Sequence, residues 1–197
     1  FSDEQSKASL TEKTLLFQPL NDDMISDNAV LTVLKKSEAF SGLSEAHLSH
    51  ILTIGKKIQV FDWQNTIVEG EVGSSLFVIL SGGAETYQRV GDKDESMRLL
   101  GVSDVFGLKA FLLSEPRRIT VKGRSDSDVI WLLEIERDDF KTIMDQYPSL
   151  LEKLTAELVK RETKNQQTLS DMNERESVQS IVDVLKTRIK MLFGKAG

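Results

Sequence analysis

Between residues 56 and about 133, apolar positions return at every second residue in short runs separated by Gly, Asp and Ser. The runs fall at 58–61, 66–68, 75–80, 85–87, 97–100, 120–121 and 129–133. A period of two puts alternate side chains on opposite faces of a strand, so short runs with regular turns predict an all-β sandwich or roll. Residues 91–95, Gly-Asp-Lys-Asp-Glu, predict an exposed charged hairpin loop. Gly70, Gly73, Gly82 and Gly83 stand at run ends, where a positive φ or a close approach of chains leaves no room for a side chain.

On both sides of this region the period lengthens. Val30, Leu31, Val33 and Leu34, then Phe40, Leu43, Leu48, Ile51 and Leu52, recur at helical spacing, interrupted at Ser41-Gly42, and Ser44 before Glu45 reads as an N-cap. After Arg137 a helix over 138–144 is followed by Pro148 at a first-turn position and by Leu150, Leu151, Leu154 and Leu158, a face that predicts packing on the roll. Residues 161–168 are polar all round. Val178, Ile181, Val182, Leu185, Ile189 and Leu192 then draw one stripe along a last helix. Such a stripe needs a partner: the chain's own core, a second copy, or an output domain outside the sequence. Residues 1–28 are polar apart from anchors such as Leu15, Leu16 and Phe17, and read as a tail or a loosely docked helix. The fold class expected is α+β: an antiparallel β-roll, of the double-stranded β-helix or jelly-roll kind, with flanking N- and C-terminal helices. Its expected divisions are 1–28, 29–148 and 149–197.

Composition narrows the function. With 197 residues, 40% hydrophobic and 28% charged, the chain suits one domain with helical extensions. It contains no cysteine, which excludes disulfides and cysteine zinc sites. No run approaches the roughly 18 apolar residues a membrane helix needs, and the amino end is too acidic for a signal peptide, so a cytoplasmic chain without membrane contact is expected. A first residue that is Phe and not Met reads as an excised or processed piece, which leaves room for an output domain beyond either end. The net charge of −6 argues against nucleic acid as a partner. Lys186, Arg188, Lys190 and Lys195 gather near the carboxyl end, where basic residues complement a helix dipole.

Catalytic patterns are missing. There is no Gly-x-Ser-x-Gly elbow, no phosphate loop and no cysteine nucleophile, so no catalytic residue is assigned and an enzyme is not expected. Asp22-Asp23 and Asp138-Asp139 are adjacent pairs that diverge, the second at a helix start. His47 and His50 lie three apart on a helix, but no other His or Cys exists, so they read as solvated histidines and no metal site is expected. Trp63 and Trp131 sit at strand positions and read as core.

One stretch carries binding chemistry. Phe106-Gly107 leads through Leu108 and Lys109 to Ala110, and Pro116-Arg117-Arg118-Ile119-Thr120-Val121 follows. A glycine turn running into a helix start offers backbone N–H groups to an anion, and arginine adds a forked, permanent charge. Together with Phe40 and Leu43, with 67–70 and with 73–82, these residues resemble the cyclic-nucleotide-binding domain family of catabolite-activator-type regulators, kinase regulatory subunits and gated channels, over roughly residues 30–165.

The resemblance implies a sensor whose ligand is a cyclic nucleotide, cyclic AMP first, with no cofactor; the second charge of Arg118 beside Arg117 makes cyclic di-GMP the lesser candidate. It implies that Arg117 contacts the phosphate, that Phe106, Gly107, Leu108, Lys109, Ala110 and Arg118 line the pocket, and that Thr120 reaches phosphate or base. It also implies that the helix after Pro148 closes over the base, with 150–163 as the moving lid, and that the C-terminal helices serve a homodimer, a protein partner or an output domain. The departure is Leu108, which stands where the family has a glutamate that accepts the ribose 2′-OH; Ile119 also replaces a small residue. The competing expectations are a ligand-blind roll acting as an interaction or dimerisation module and a transcription regulator, for which no recognition helix is evident.

Overall fold

The computed structural model describes residues 25–62, 64–167 and 174–194. Helix α1 (Asp27–Lys36) starts where the Ser26 Oγ accepts from the Ala29 N–H at 3.2 Å, and closes with Lys35 and Lys36 against its dipole. A 3-10 turn (Glu38–Phe40) and Gly42, at φ +80°, lead to α2 (Glu45–Ile54), capped by Ser44 accepting from the His47 N–H at 3.3 Å.

The roll follows as β1 (Lys56–Phe61), β2 (Asn65–Ile67), β3 (Ser75–Ser81), β4 (Ala84–Val90), β5 (Lys93–Leu100), β6 (Val105–Phe106), the short helix α3 (Leu108–Leu113), β7 (Thr120–Gly123) and β8 (Val129–Glu136). All pairings between these strands are antiparallel, in two four-stranded sheets ordered β1-β8-β3-β6 and β2-β7-β4-β5. Alternation decides the layering. Along β3, Leu76, Val78 and Leu80 face a core shared with the helices, whereas Phe77 and Ile79 face a second core between the sheets. In β8, Trp131, Leu133 and Ile135 take the first side and Ile130 and Leu132 the other. Both faces of these strands are covered, which is why residues 75–80 are almost continuously apolar.

Two features of the roll depart from expectation. Strand β5 begins at Lys93, so only Gly91 (φ +60°) and Asp92 separate it from β4, and the expected 91–95 loop is mostly strand. As the edge of its sheet β5 buries only Leu100, so burial imposed no alternation on Lys93 to Met97. Strand β6, too short for any period, pairs Phe106 with Phe77.

Helices α4 (Arg137–Met144), α5 (Pro148–Gln167) and α6 (Glu174–Phe193) cover the outer face of the first sheet. Arg137 ties α4 to α3: its Nη2 donates to the Ala110 carbonyl and its Nε to the Phe111 carbonyl, both at 2.6 Å. Leu150, Leu154 and Leu158 of α5 are buried in the helical core, and so are Leu185, Ile189 and Phe193 of α6. Phe193 lies 6.0 Å from the Phe111 ring and 6.1 Å from the Phe140 ring, edge-on to the latter. The partner of the last stripe is therefore the chain's own core for Leu185 and Ile189. The side chains of Val178 and Ile181 lie outside the described residues, as do Trp63, Asp22, Asp23 and Lys195.

The histidines are not solvated as expected. His47 and His50 are half-buried against Tyr147, with ring centroids at 4.6 and 4.5 Å, because Tyr147 between α4 and α5 covers that face of α2. Among the described residues no His, Cys, Asp or Glu group is arranged to hold a metal ion, and no helix is long and apolar enough to cross a membrane.

Candidate functional site

Arg117 is a buried charge anchored through both its main chain and its side chain. Its main chain is clamped to the 70–72 segment: its N–H donates to the Glu71 carbonyl and the Gly70 N–H donates to its carbonyl, each at 2.8 Å. Its side chain turns inward and is only 7% exposed. The guanidinium donates from Nη1 to the Gly107 carbonyl (3.1 Å) and from Nη2 to the Ser75 carbonyl (2.8 Å), and lies over the Phe77 ring, 5.9 Å from its centroid. Phe77 in turn stacks on Phe106 at 5.1 Å. Two glycines make this lodging possible. A Cβ at Gly73 would stand 2.4 Å from the Arg117 Nε, and one at Gly107 would stand 2.8 Å from Nη1, at a φ of +81° that L residues rarely adopt. Two of the five guanidinium N–H donors are thus given to backbone carbonyls that join β3 to the 106–110 turn.

Burial lowers the Arg117 pKa; the Glu136 and Glu134 carboxylates oppose that shift and the charge of Arg137 adds to it. Burial also pushes Glu136 up, but hydroxyl donors from Ser75 (2.6 Å) and Ser74 (2.8 Å), with the charges of Lys56 and Arg117, hold it below the usual carboxylate range.

On the other side of the turn lies a cavity of about 260 Å³. Phe106, Gly107, Leu108, Lys109, Ala110, Arg117 and Arg118 line one wall. Arg98 comes from β5, and Leu158, Arg161 and Glu162 close the cavity from α5. Ligand cavities run from roughly 300 to 1,000 Å³, so this one, with three α5 side chains among its lining, lies just below that range. Lys109 Nζ donates to Glu162 Oε2 at 2.6 Å, a half-buried pair joining the turn to α5. Leu108 is 2% exposed; it borders the cavity and also belongs to the helical core, offering no acceptor. Arg118 keeps an exposed side chain 3.6 Å from Glu115, which also accepts from Arg188 of α6 at 2.7 Å. Neither Glu115 nor Asp104 pairs with Arg117; Asp104 faces Arg98 at 3.9 Å.

Of the expected site residues, Thr120 stands apart. Its Oγ1 accepts from the Glu69 N–H at 3.0 Å and it lines a different, open groove, because adjacent strand residues face opposite ways and Ile119 takes the cavity side. Arg98, Thr86, Leu100 and Val105 are among the cavity residues outside the expected site, and Leu158, Arg161 and Glu162 fall within the expected lid segment without being singled out as site residues. Leu158 stood out as part of an apolar stripe, but Arg161 and Glu162 lie in a stretch that looked uniformly polar, and Arg98 on an edge strand carries no local signal.

Residues 64–147 match the family described as the cyclic nucleotide-binding domain. A curated relative, the cGMP-dependent protein kinase of Eimeria tenella, is 32% identical over 123 residues; the match takes in 62% of this chain and only 12% of that protein's length. The regulatory domain of Toxoplasma gondii PKA, solved with cAMP, superposes with a TM-score of 0.54 at 25% identity, covering 59% of this chain and 43% of that one. The Catabolite Activator Protein of Thermus thermophilus superposes with a TM-score of 0.62 at 21% identity, covering 68% and 62% of the two chains. The two-sheet roll with helices on one face and the glycine turn with its buried arginine agree with the family match, and residues 64–147 of the chain are similar to the cyclic nucleotide-binding domain family.

Proposed function

We propose that the chain is a sensory module that binds a cyclic nucleotide, cyclic AMP first, in the cavity between the 106–110 turn and α5, and that it acts by this binding and not by catalysis. The observation that carries the reading is the lodging of Arg117. A cyclic phosphodiester carries one negative charge, and Arg117 places a cation held in fixed geometry behind a turn at the cavity wall. The Eimeria relative is named for cGMP and the Toxoplasma structure holds cAMP, so a cyclic nucleotide is the ligand class.

In this reading α5 is the lid and Lys109–Glu162 its catch. The signal leaves through α6, which touches the cassette through Phe193 against Phe111 and through Arg188 on Glu115. A ligand that prefers the closed arrangement shifts the population toward it by its difference in affinity for the two states. A second reading, a ligand-blind roll, draws on Leu108 being apolar and on Arg117 already donating to two carbonyls.

Isothermal titration of the full chain with cyclic AMP, cyclic GMP and cyclic di-GMP separates the two. The sensor releases heat with at least one of them and loses it in Arg117→Ala, with circular dichroism reporting that the variant is folded. No heat with any of the three selects the ligand-blind roll.

A further inference from the structure

A hollow of about 660 Å³, within the size range of binding cavities, lies between the α4–α5 joint and the end of α6. Ile189 and Phe193, 2% and 4% exposed, form its floor. Met144 and Leu151 line its sides half-buried, and Pro148 and Ala156 line them exposed. Apolar surface left open in a concave patch marks a place where another apolar group docks. The rim carries both signs of charge: Glu152 from α5, and Lys186 and Lys190 from α6. Among the described residues none of these three has an ion-pair partner, whereas Asp145, also on the rim, is already engaged.

The chain carries a segment that matches this surface. Residues 1–24 lie outside the described residues, and Leu15-Leu16-Phe17 is the one run of three apolar residues among them. Glu12 and Lys13 stand just before it, an acid for the lysines of α6 and a base for the carboxylate of α5. The described chain starts at Ile25, which packs on the same helical core as Met144 and Leu151. Lys57 fastens it there, its Nζ donating to the Ile25 carbonyl at 2.9 Å and to the Asp27 carboxylate at 2.8 Å. From that point α1 packs on α2, and α2 packs on α4 and holds Tyr147, next to Pro148 of the hollow, between His47 and His50. Packed helices stand about 8–10 Å apart, so roughly 20 Å separates the axes of α1 and α4 across α2. The eight residue steps from Ile25 back to Phe17 span up to about 26 Å, which covers that separation.

We propose that Leu15-Leu16-Phe17 docks in this hollow, so that the segment ahead of α1 clasps the start of α5 to the end of α6. The proposal stands apart from the nucleotide reading, since the hollow and the nucleotide cavity share no lining residue.

The chain has no cysteine, so an introduced disulfide reads the contact directly; it closes only between Cα atoms within about 7 Å. In the full chain, Gln18→Cys with Ala156→Cys puts one thiol beside the apolar run and one in the hollow. Gln18→Cys with Asp92→Cys, in the β4–β5 turn of the other sheet, sets the rate of chance encounter. Ala156 and Asp92 are both exposed, so the substitutions leave the core intact, and circular dichroism checks that they do. Under mild oxidation the first pair is expected to close within one chain at least tenfold faster than the second, followed by mass and gel mobility. Adding Leu16→Asp and Phe17→Asp to the first pair is expected to lower its rate to that of the second. Equal rates for the two pairs, a fast rate that the aspartates leave unchanged, or a disulfide formed mainly between two chains overturns the proposal, the last by giving the hollow to a second copy. Without any cysteine, Leu16→Asp with Phe17→Asp is expected to speed amide exchange over residues 186–193 by about tenfold, and exchange that stays the same there counts against docking.

Discussion

At the scale of single residues, Arg117 and Leu108 set opposite conditions on the same cavity. Arg117 is held by carbonyls of β3 and of the turn, so it supports the fold as well as lining the proposed ligand cavity. Truncating it leaves two acceptors short of a partner, at about 1–3 kcal/mol for a buried group left unsatisfied. Leu108 has nothing to offer a ribose hydroxyl. A hydrogen bond to a charged acceptor is worth roughly 1.5–3 kcal/mol, a factor of about ten to a hundred in affinity. The wild type should therefore bind cyclic AMP and its 2′-deoxy analogue almost equally, whereas Leu108→Glu should favour cyclic AMP by about tenfold or more; competition titration with the two ligands measures the ratio. Because the readout is a ratio within one variant, any loss of stability from placing an acid at this buried position cancels. Glu136 gives a second residue-level test. Its pKa is depressed in the folded chain, so its contribution is complete above the ordinary carboxylate value of 4.5 and is lost as pH falls through the lower folded value. Urea midpoints at neutral pH and near pH 3 should show a smaller acid loss in Glu136→Gln than in the wild type.

At the scale of elements, the account turns on α5 and α6. Lys109–Glu162 is one-fifth to one-quarter exposed and joins the turn to α5, so with α5 as the proposed lid Glu162→Gln should speed ligand release by a few-fold, with a smaller effect on the association rate, in a stopped-flow displacement experiment. Phe193, packed among Phe111 and Phe140, fastens α6 to the cassette helix. Phe193→Ala should cost about 3–5 kcal/mol where α6 unfolds together with the roll, measured by denaturant unfolding. If α6 detaches on its own, the loss appears as a separate early transition. The elements differ in how far the sequence disclosed them. Ser44 as a cap, Pro148 as a helix start and the alternation in β3 and β8 are local signals, and they were readable. Strand β6 has two residues and β5 buries one position, so neither leaves a periodic trace.

For the whole molecule, the site joins segments distant in sequence. The 106–110 turn and Arg117 were legible because their local sequence resembles a family cassette whose glycine turn and arginine suit an anion. Arg98, Leu158, Arg161 and Glu162 became cavity residues only once β5 and α5 were folded against that turn. The same folding gave Leu185 and Ile189 of the last stripe a partner within the chain, which removes those two residues from any surface offered to a second copy. The central claim is that the cavity behind this turn holds a cyclic nucleotide by its phosphate, and a crystal structure of the full chain grown with cyclic AMP tests it most directly. The account predicts phosphate oxygens within about 3 Å of the Arg117 guanidinium or the backbone N–H groups of the 106–110 turn, with α5 lying over the base. A structure with the cavity still filled by α5 side chains, Arg117 unmoved on the Ser75 and Gly107 carbonyls and no nucleotide bound would contradict it.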